Sequence, residues 1–546
     1  MENQIMVNNG VISQMRWALS FAKPQRLQLL LFFCLEVCVI ILSLVFVYWS
    51  KRAVDLVMDK HTTIWQMALV LVAGSVLLGL STKIYSEWLN EKIRVKMLIR
   101  LQNKVIKSQM TVVWKYIKRW STGDIQVRIH TDCNEIVQMI CYSSLVFILT
   151  LIRLFASFGF LWLMDPMLAI LILAISPLFL FSKLYFRRLR SLNSQQKHAE
   201  STLGHVVQEN IRFRTSIQAL GLYTFRSNKV EQSQRTIYRL KLRLLNFSAF
   251  SQAILKIAVN AGFLITFVWG VYRLRTGEIS FGTMTAFLQL VGRIQSPIIS
   301  LMGFVPLFIR FRTASDRIQE LLDAEVEEAS TPEYIPHVKS IQVENLKFKY
   351  DDQLIISDLF LKIDVGDPVA VIGTSGKGKT TLIRLLLALI KPDEGEIRIY
   401  TAQDNYLLTN RHRVNVAYVP QGDKLFSTTI RENLTGGHDD VTAAQIHSAL
   451  YLSCAEFVYD LPDGLDTIIG ESGYGLSEGQ AQRIAIARAM IAEHSIWLFD
   501  EITSALDAST AQELFKRLTE AGKDKIIVFV THDLVLARQC HQQIYI

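Results

Sequence analysis

The chain has 546 residues, half of them hydrophobic and a fifth charged, with a mean hydropathy of +0.26. That balance is too apolar for a wholly soluble protein, and the length exceeds one domain, so a membrane portion joined to a soluble portion is expected. The formal net charge of +9 admits nucleic acid, anionic lipid or the cytosolic flank of membrane spans, and its distribution along the chain decides between them.

The six cysteines (34, 38, 133, 141, 454 and 540) form no CxxC pair and have no histidine at metal-ligand spacing. They are expected to be free thiols in a reducing compartment. Residues 1–24 lack a cleavage site and end in an amphipathic piece, Met15 to Pro24, carrying Arg16, Trp17 and Lys23. This reads as an interfacial helix on the cytosolic leaflet rather than a signal peptide.

Six apolar stretches follow, near 25–49, 64–86, 142–163, 166–186, 247–272 and 281–308, each with about the 20 residues that crossing a bilayer takes. The intervening segment 87–140 holds ten Lys or Arg, and 187–245 holds twelve. The excess of positive charge puts both loops, and both ends of the domain, in the cytoplasm. It also accounts for most of the net charge, so no nucleic-acid partner is expected. Each loop has few Gly or Pro and an apolar period (Ile93, Met97, Leu101, Val105), so each is expected to form long cytosolic helices.

Glu36, Arg153 and Arg293 fall inside expected spans, with Lys256 nearer the cytosolic side. Ionisable residues at such positions are candidates for substrate contact. The bland alternative is that the arginines pair with Glu36 or sit in water. An acidic stretch with two prolines, 324–337, breaks the helical pattern. The expected division is therefore 1–24 interfacial, 25–322 membrane-spanning, 323–340 linker and 341–546 a second domain.

In that second domain, VAVIGTSGKGKTTLIRLLLAL (369–389) is an apolar strand, a glycine-rich loop and an amphipathic helix. Gly373, Thr374, Ser375, Gly376, Lys377, Gly378, Lys379 and Thr380 match G-x-x-x-x-G-K-[ST], the phosphate loop. Glycines let backbone N–H groups converge on phosphates, Lys379 adds a positive charge, and Thr380 offers Mg²⁺ a hydroxyl. Thr381, the next residue of the helix start, is expected to bind the nucleotide with them. SIWLFDE (495–501) is a buried strand ending in two carboxylates. Asp500 suits the Mg²⁺ shell, and Glu501 is placed to polarise an attacking water.

Phosphate loop, GLSEGQAQR (475–483), WLFDEITSALD (497–507) and VTHD (530–533) occur in that order. In this the chain resembles the ATP-binding cassette family. The resemblance implies that Ser477, Gly479 and Gln480 meet the γ-phosphate of a nucleotide held by an opposite subunit, although Glu478 replaces a glycine of the usual LSGGQ. It further implies that Tyr350 stacks on adenine and that Gln421 joins the Mg²⁺ site. Ser504 to Asp507 would cross the dimer interface, and His532 would contact the γ-phosphate. The Gly470-Glu471-Ser472-Gly473 loop lacks the arginine that exporters of the family typically carry. The chain stops at Ile546, where relatives usually continue, so a peripheral C-terminal helix is expected to be absent. No peptidase domain precedes the spans, so leader-peptide cleavage is not expected.

The implied fold is a polytopic α-helical membrane domain of six transmembrane helices, the type I exporter half-transporter, followed by an α/β P-loop nucleotide-binding domain. Residues 116–132 and 208–210 resemble the two cytosolic loops of that fold. The implied function is Mg²⁺- and ATP-dependent export of a hydrophobic or amphiphilic substrate (lipid, peptide or drug) by alternating access. The implied partner is a second half-transporter chain, in a homodimer first and a heterodimer as the alternative, within membrane lipids. The expected compartment is a cell inner membrane with the cassette in the cytoplasm. The rival classes are an ATP-gated channel or regulatory subunit, which often has decayed Glu or His positions, and an importer, which usually keeps spans and cassette on separate chains.

Overall fold

The computed structural model describes residues 11–58, 64–117, 119–175, 182–350, 353–373, 378–422, 425–438, 440–470 and 475–546. The chain divides into two compact units, one of residues 1–110 and 121–323, the other of 111–120 and 324–546.

The first unit is helical throughout its described residues. It begins with α1 (Val11–Ser20), α2 (Arg26–Met58) and α3 (Ile64–Met110). The second unit contributes the short α4 (Trp114–Ile117). The helical path from Thr122 to Met164 comprises α5 (Thr122–Val127), α6 (Cys133–Gln138) and α7 (Ser144–Met164), with π-helical turns at Arg128–Asp132 and Met139–Ser143. Then come α8 (Pro166–Ile175), α9 (Ser182–Arg212), α10 (Arg214–Ala219), α11 (Tyr223–Arg275), α12 (Phe281–Met302) and α13 (Phe304–Leu322).

Five helical stretches among the described residues are long and apolar enough to cross a membrane: Lys23–Met58, Trp65–Met110, Thr122–Met164, Tyr223–Arg275 and Phe281–Leu322. The span expected near 166–186 begins as α8 and then runs into residues 176–181, which lie outside the described set. Several helices continue well past their apolar stretch. At 1.5 Å per residue, α3 and α11 reach roughly 70–80 Å, so the expected basic loops are largely extensions of the spanning helices themselves.

The core of this unit gathers Val47 of α2, Leu161 of α7, Leu168 of α8, and Ala286, Phe287 and Leu290 of α12. Gly282 lets α12 start against α2: a Cβ there would lie 2.3 Å from the Lys51 carbonyl oxygen, and its N–H donates to Asp55 at 2.9 Å. Asp165, buried between α7 and α8, accepts from the Leu168 N–H at 3.0 Å and from Trp269 Nε1 at 3.1 Å. Glu36 is buried and accepts from Lys83 Nζ at 2.8 Å and Ser86 Oγ at 2.6 Å. Its partner is therefore α3, not the arginines.

The second unit holds two sheets. β1 (Ser340–Tyr350), β2 (Gln353–Asp364), β4 (Glu394–Tyr400) and β5 (Asn405–Leu407) form an antiparallel sheet in the order β2-β1-β4-β5. β3 (Val369–Ile372), β6 (Val416–Val419), β7 (Ile496–Asp500), β8 (Ile526–Thr531) and β9 (Gln542–Tyr545) form a parallel sheet in the order β6-β7-β8-β3-β9. The runs VAVI, IWLFD and IIVFVT are buried at every position, the pattern of strands covered on both faces. The covering helices are α14 (Lys379–Leu386), α15 (Ile430–Thr435), α16 (Ala443–Leu452), α17 (Glu478–Met490), α18 (Ala508–Ala521) and α19 (Leu534–Ala537).

Residues 111–120, read in the sequence as part of a loop of the membrane domain, cluster with this second unit. The Val113 N–H donates to the Glu325 carbonyl at 2.9 Å, and the Glu327 N–H to that of Thr111 at 2.7 Å. An isolated antiparallel bridge between Val112 and Val326 ties the segments together.

Candidate nucleotide site

In an open parallel sheet the carboxyl ends of the strands point to one edge, where ligands bind. Five candidate residues lie at that edge here, at the ends of four strands. Gly373 follows β3, Gln421 lies just beyond β6, Asp500 and Glu501 close β7, and His532 follows β8. With β8 between β7 and β3, the sheet order juxtaposes residues far apart in sequence.

Glu501 is the centre of this group. Its backbone adopts φ +51°, a left-handed conformation that costs a non-glycine residue of order 1–3 kcal/mol. Four hydrogen bonds hold it there. Its N–H donates to the Val530 carbonyl at 2.9 Å, and its carbonyl accepts from Gln482 Nε2 at 3.1 Å, Ser504 Oγ at 3.0 Å and the Ser504 N–H at 3.3 Å. The carboxylate Oε2 accepts from Gln421 Nε2 at 2.5 Å, while Oε1 lies 3.4 Å from His532 Nδ1 and 3.9 Å from Lys379 Nζ.

Lys379 opens α14 directly after Gly378, whose φ of +107° only glycine adopts freely. Its side chain is buried and donates to the Gly373 carbonyl at 2.5 Å. Thr380 is exposed on the first turn, and Thr381 is buried. Thr374, Ser375, Gly376 and Lys377 lie outside the described residues, as do Glu471, Ser472 and Gly473. Asp500 is buried, and its carboxyl is pushed up to about 6, chiefly by burial and then by the neighbouring Glu501 charge, against Lys379 and Arg384.

The signature residues sit at the start of α17. Ser477 Oγ accepts from the Gln480 N–H at 3.2 Å, and Gln480 Oε1 accepts from the Ser477 N–H at 2.9 Å. This reciprocal capping box satisfies the helix start. Glu478 is the first residue of the helix and is exposed, where the helix dipole favours a negative side chain. A Cβ on Gly479 would lie 2.6 Å from the Ala505 carbonyl oxygen, so the signature glycine lets α17 approach the 504–507 turn. Asp507 caps α18 through the Thr510 N–H at 3.0 Å. The hydrogen bond from the Ser509 hydroxyl, and then the one from Thr510, hold its carboxyl well below the usual range.

Tyr350 packs edge-on against Phe348 at 4.8 Å, and its hydroxyl accepts from Arg384 Nη1 at 3.0 Å. The Arg384 guanidinium in turn lies 4.1 Å over the Trp114 ring. Sequence reasoning missed Arg384, Trp114 and Gln482. Gln482 stands within GLSEGQAQR (475–483), but its bond to the Glu501 carbonyl depends on the packing of α17 against the end of β7.

Residues 29–298 match the ABC transporter transmembrane region family, and 356–504 match the ABC transporter family. The chain is 26% identical over 478 residues to the toxin RTX-I translocation ATP-binding protein of Actinobacillus pleuropneumoniae. It is 25% identical to the leukotoxin export ATP-binding protein of Aggregatibacter actinomycetemcomitans. Both alignments cover 86% of this chain and 66% of the relative, so the chain spans just under two thirds of those proteins' length. Among solved structures, a bacterial Atm1-family ABC exporter with ATP bound superposes with a TM-score of 0.78 at 22% identity, covering 96% of this chain and 93% of that one. With both modules in one polypeptide and the type I exporter fold, this multi-pass membrane protein belongs to the ATP-binding cassette transporter family.

Proposed function

We propose that the chain is one half of an ATP-driven exporter of a hydrophobic or amphiphilic substrate. The observation that carries this reading is the convergence of Lys379, Glu501, Gln421 and His532 at one edge of a parallel sheet, in a chain whose other unit consists of membrane-length helices. Lys379, with the loop from Gly373 to Gly378, would hold the β- and γ-phosphates of ATP, and Tyr350 would take the base. Glu501 accepts the proton of the attacking water, and His532 stands beside it to meet the γ-phosphate.

Asp500, Thr380 and Gln421 suit Mg²⁺. Asp500 is a buried carboxylate that a divalent cation would neutralise, Thr380 presents a hydroxyl, and Gln421 spends its amide N–H on Glu501 while keeping its amide oxygen as an acceptor. A bound Mg²⁺ would offset the charge that builds on the phosphates during transfer.

The signature at α17 and the phosphate loop at α14 belong to different elements of one cassette. We infer that a second chain supplies Ser477, Gly479 and Gln480, in a homodimer first, with two ATP molecules between the cassettes. ATP favours the closed pair and hydrolysis the open one, a two-state equilibrium biased by ligand that would give alternating access. The basic cytosolic extensions support a cell inner membrane with the cassettes in the cytoplasm. Inside-out membrane vesicles carrying the wild-type chain should accumulate one class of labelled lipid, peptide or drug when given Mg²⁺-ATP. Vesicles carrying Glu501→Gln should not. Uptake by neither, with ATP turnover intact, would instead support a channel or regulatory role, and an equimolar second subunit in the purified complex would replace the homodimer with a heterodimer.

A further inference from the structure

Arg153 of α7 and Arg293 of α12 line one cavity of about 400 Å³, together with Val39 and Ser43 of α2 and Gln289 and Ser296 of α12. Both arginines sit mid-helix: Arg153 is the tenth of the 21 residues of α7, and Arg293 the thirteenth of the 22 of α12. Placing two like charges in one cavity at membrane depth is unfavourable unless an anion compensates them.

Among the described residues the chain supplies no such anion. α7 and α12 contain no acidic residue. Glu36, one turn before Val39 on α2, is occupied by Lys83 and Ser86. Asp55 accepts from the Gly282 N–H, and Asp165 from Trp269. The Arg293 guanidinium rests 5.9 Å from the centre of the Phe46 ring, which orients it without neutralising it. Gln289 donates its amide N–H to Ser50 Oγ at 3.2 Å, and among the described residues its buried amide oxygen has no hydrogen-bond partner, which leaves an acceptor in the same wall.

We propose that this cavity binds the oxyanion headgroup, phosphate or carboxylate, of an anionic amphiphile. Two guanidinium forks match the geometry of an oxyanion, Gln289 takes an O–H or N–H of the same headgroup, and the cavity has headgroup size. The apolar neighbours Val39, Pro297 and Phe46 suit the start of an acyl chain and disfavour a free ion. That such a ligand is the cargo rests on the exporter reading above. That it binds rests on the cavity alone.

The test is equilibrium binding of radiolabelled dodecyl phosphate and laurate to the full chain in phosphatidylcholine nanodiscs, without nucleotide. Both should bind saturably, while dodecanol and inorganic phosphate should not compete. The R153Q/R293Q double variant should raise Kd at least about tenfold, as loss of charge-assisted hydrogen bonds implies. The R153K/R293K variant keeps both charges but loses the forks, so its affinity should fall between those of the wild type and R153Q/R293Q, and it serves as the fold control; R239Q, which removes a positive charge on the basic part of α11 away from the cavity, should change nothing. Unaltered binding by R153Q/R293Q, or equal competition by dodecanol, would overturn the proposal. Competition by inorganic phosphate alone would overturn its amphiphile part. Arginine-dependent binding by a chain that never hydrolyses ATP would leave the cavity standing and remove the exporter reading, whereas an active ATPase without such binding would remove the cavity alone.

Discussion

Glu501 is held in its left-handed conformation from several directions, and Gln482 is the contributor most easily removed. Gln482→Leu deletes the amide that donates to the Glu501 carbonyl. It should lower ATP turnover by about tenfold, since misplacing the proposed general base sacrifices part of the roughly 10²–10⁴-fold such a group supplies. Nucleotide binding should persist because the Lys379 contacts are separate, and steady-state turnover beside equilibrium ATP binding separates the two effects. Gly479→Ala places a methyl 2.6 Å from the Ala505 carbonyl, so α17 must retreat from the 504–507 turn. The expected result is loss of turnover with ATP binding to isolated chains retained. At Glu478 the capping geometry suits an acid, but an opposing phosphate would be repelled. Glu478→Gln should therefore raise apparent ATP affinity at low ionic strength, and added salt should erase the difference as the charge is screened. Equal affinities at every salt concentration would mean that the carboxylate never meets the phosphates.

The elements carry their own dependences. His412 is fully buried; its Nδ1 accepts from the Thr409 N–H at 3.1 Å, and burial outweighs the pull of Glu333 in lowering its pKa. An unfolded histidine titrates near 6.5, so the native state resists a proton that the unfolded state takes. Stability is therefore full above about pH 6.5 and declines as pH falls toward the depressed native value. His494 is lowered in the same direction, again chiefly by burial. The thermal midpoint of the full chain should drop between pH 7.5 and 5.5, and His412→Gln, which keeps an acceptor for Thr409, should shrink that drop without abolishing it. In the helical unit, Asp165→Ala strips the cap of α8 and leaves Trp269 Nε1 unpaired. The expected loss is about 1–3 kcal/mol, read as a lower thermal midpoint, with Asp165→Asn retaining part of it.

Legibility from sequence followed the range of each interaction. The strand and helix that flank the glycine-rich loop could be read because its glycines, lysine and threonine are consecutive, which fixes where β3 must end and α14 begin. The covered strands could be read because burial on both faces leaves an unbroken apolar run. The capping box was legible in principle, with Ser477 and Gln480 three residues apart. Tertiary partners were not: the hold of Gln482 on Glu501 spans 19 residues, and the pairing of Glu36 with Lys83 spans 47. Nor could the spacing show that residues 111–120 join the cassette unit, because the Val112–Val326 bridge links segments more than two hundred residues apart.

At the scale of the molecule, the helical unit offers membrane-length helices and a cationic cavity, and the cassette unit offers a sheet edge where the pinned Glu501 carboxylate meets Gln421, His532 and Lys379. The exporter reading joins them through ATP turnover, so turnover is the property to measure. The most direct test is Mg²⁺-dependent ATP hydrolysis by the purified full chain in lipid nanodiscs beside Glu501→Gln, with ATP binding measured on both. The wild type should hydrolyse ATP only with Mg²⁺, and the variant should bind ATP equally well and turn over at least about 100-fold more slowly. Equal turnover in the two proteins, or bound ATP without hydrolysis in the wild type, would contradict the account.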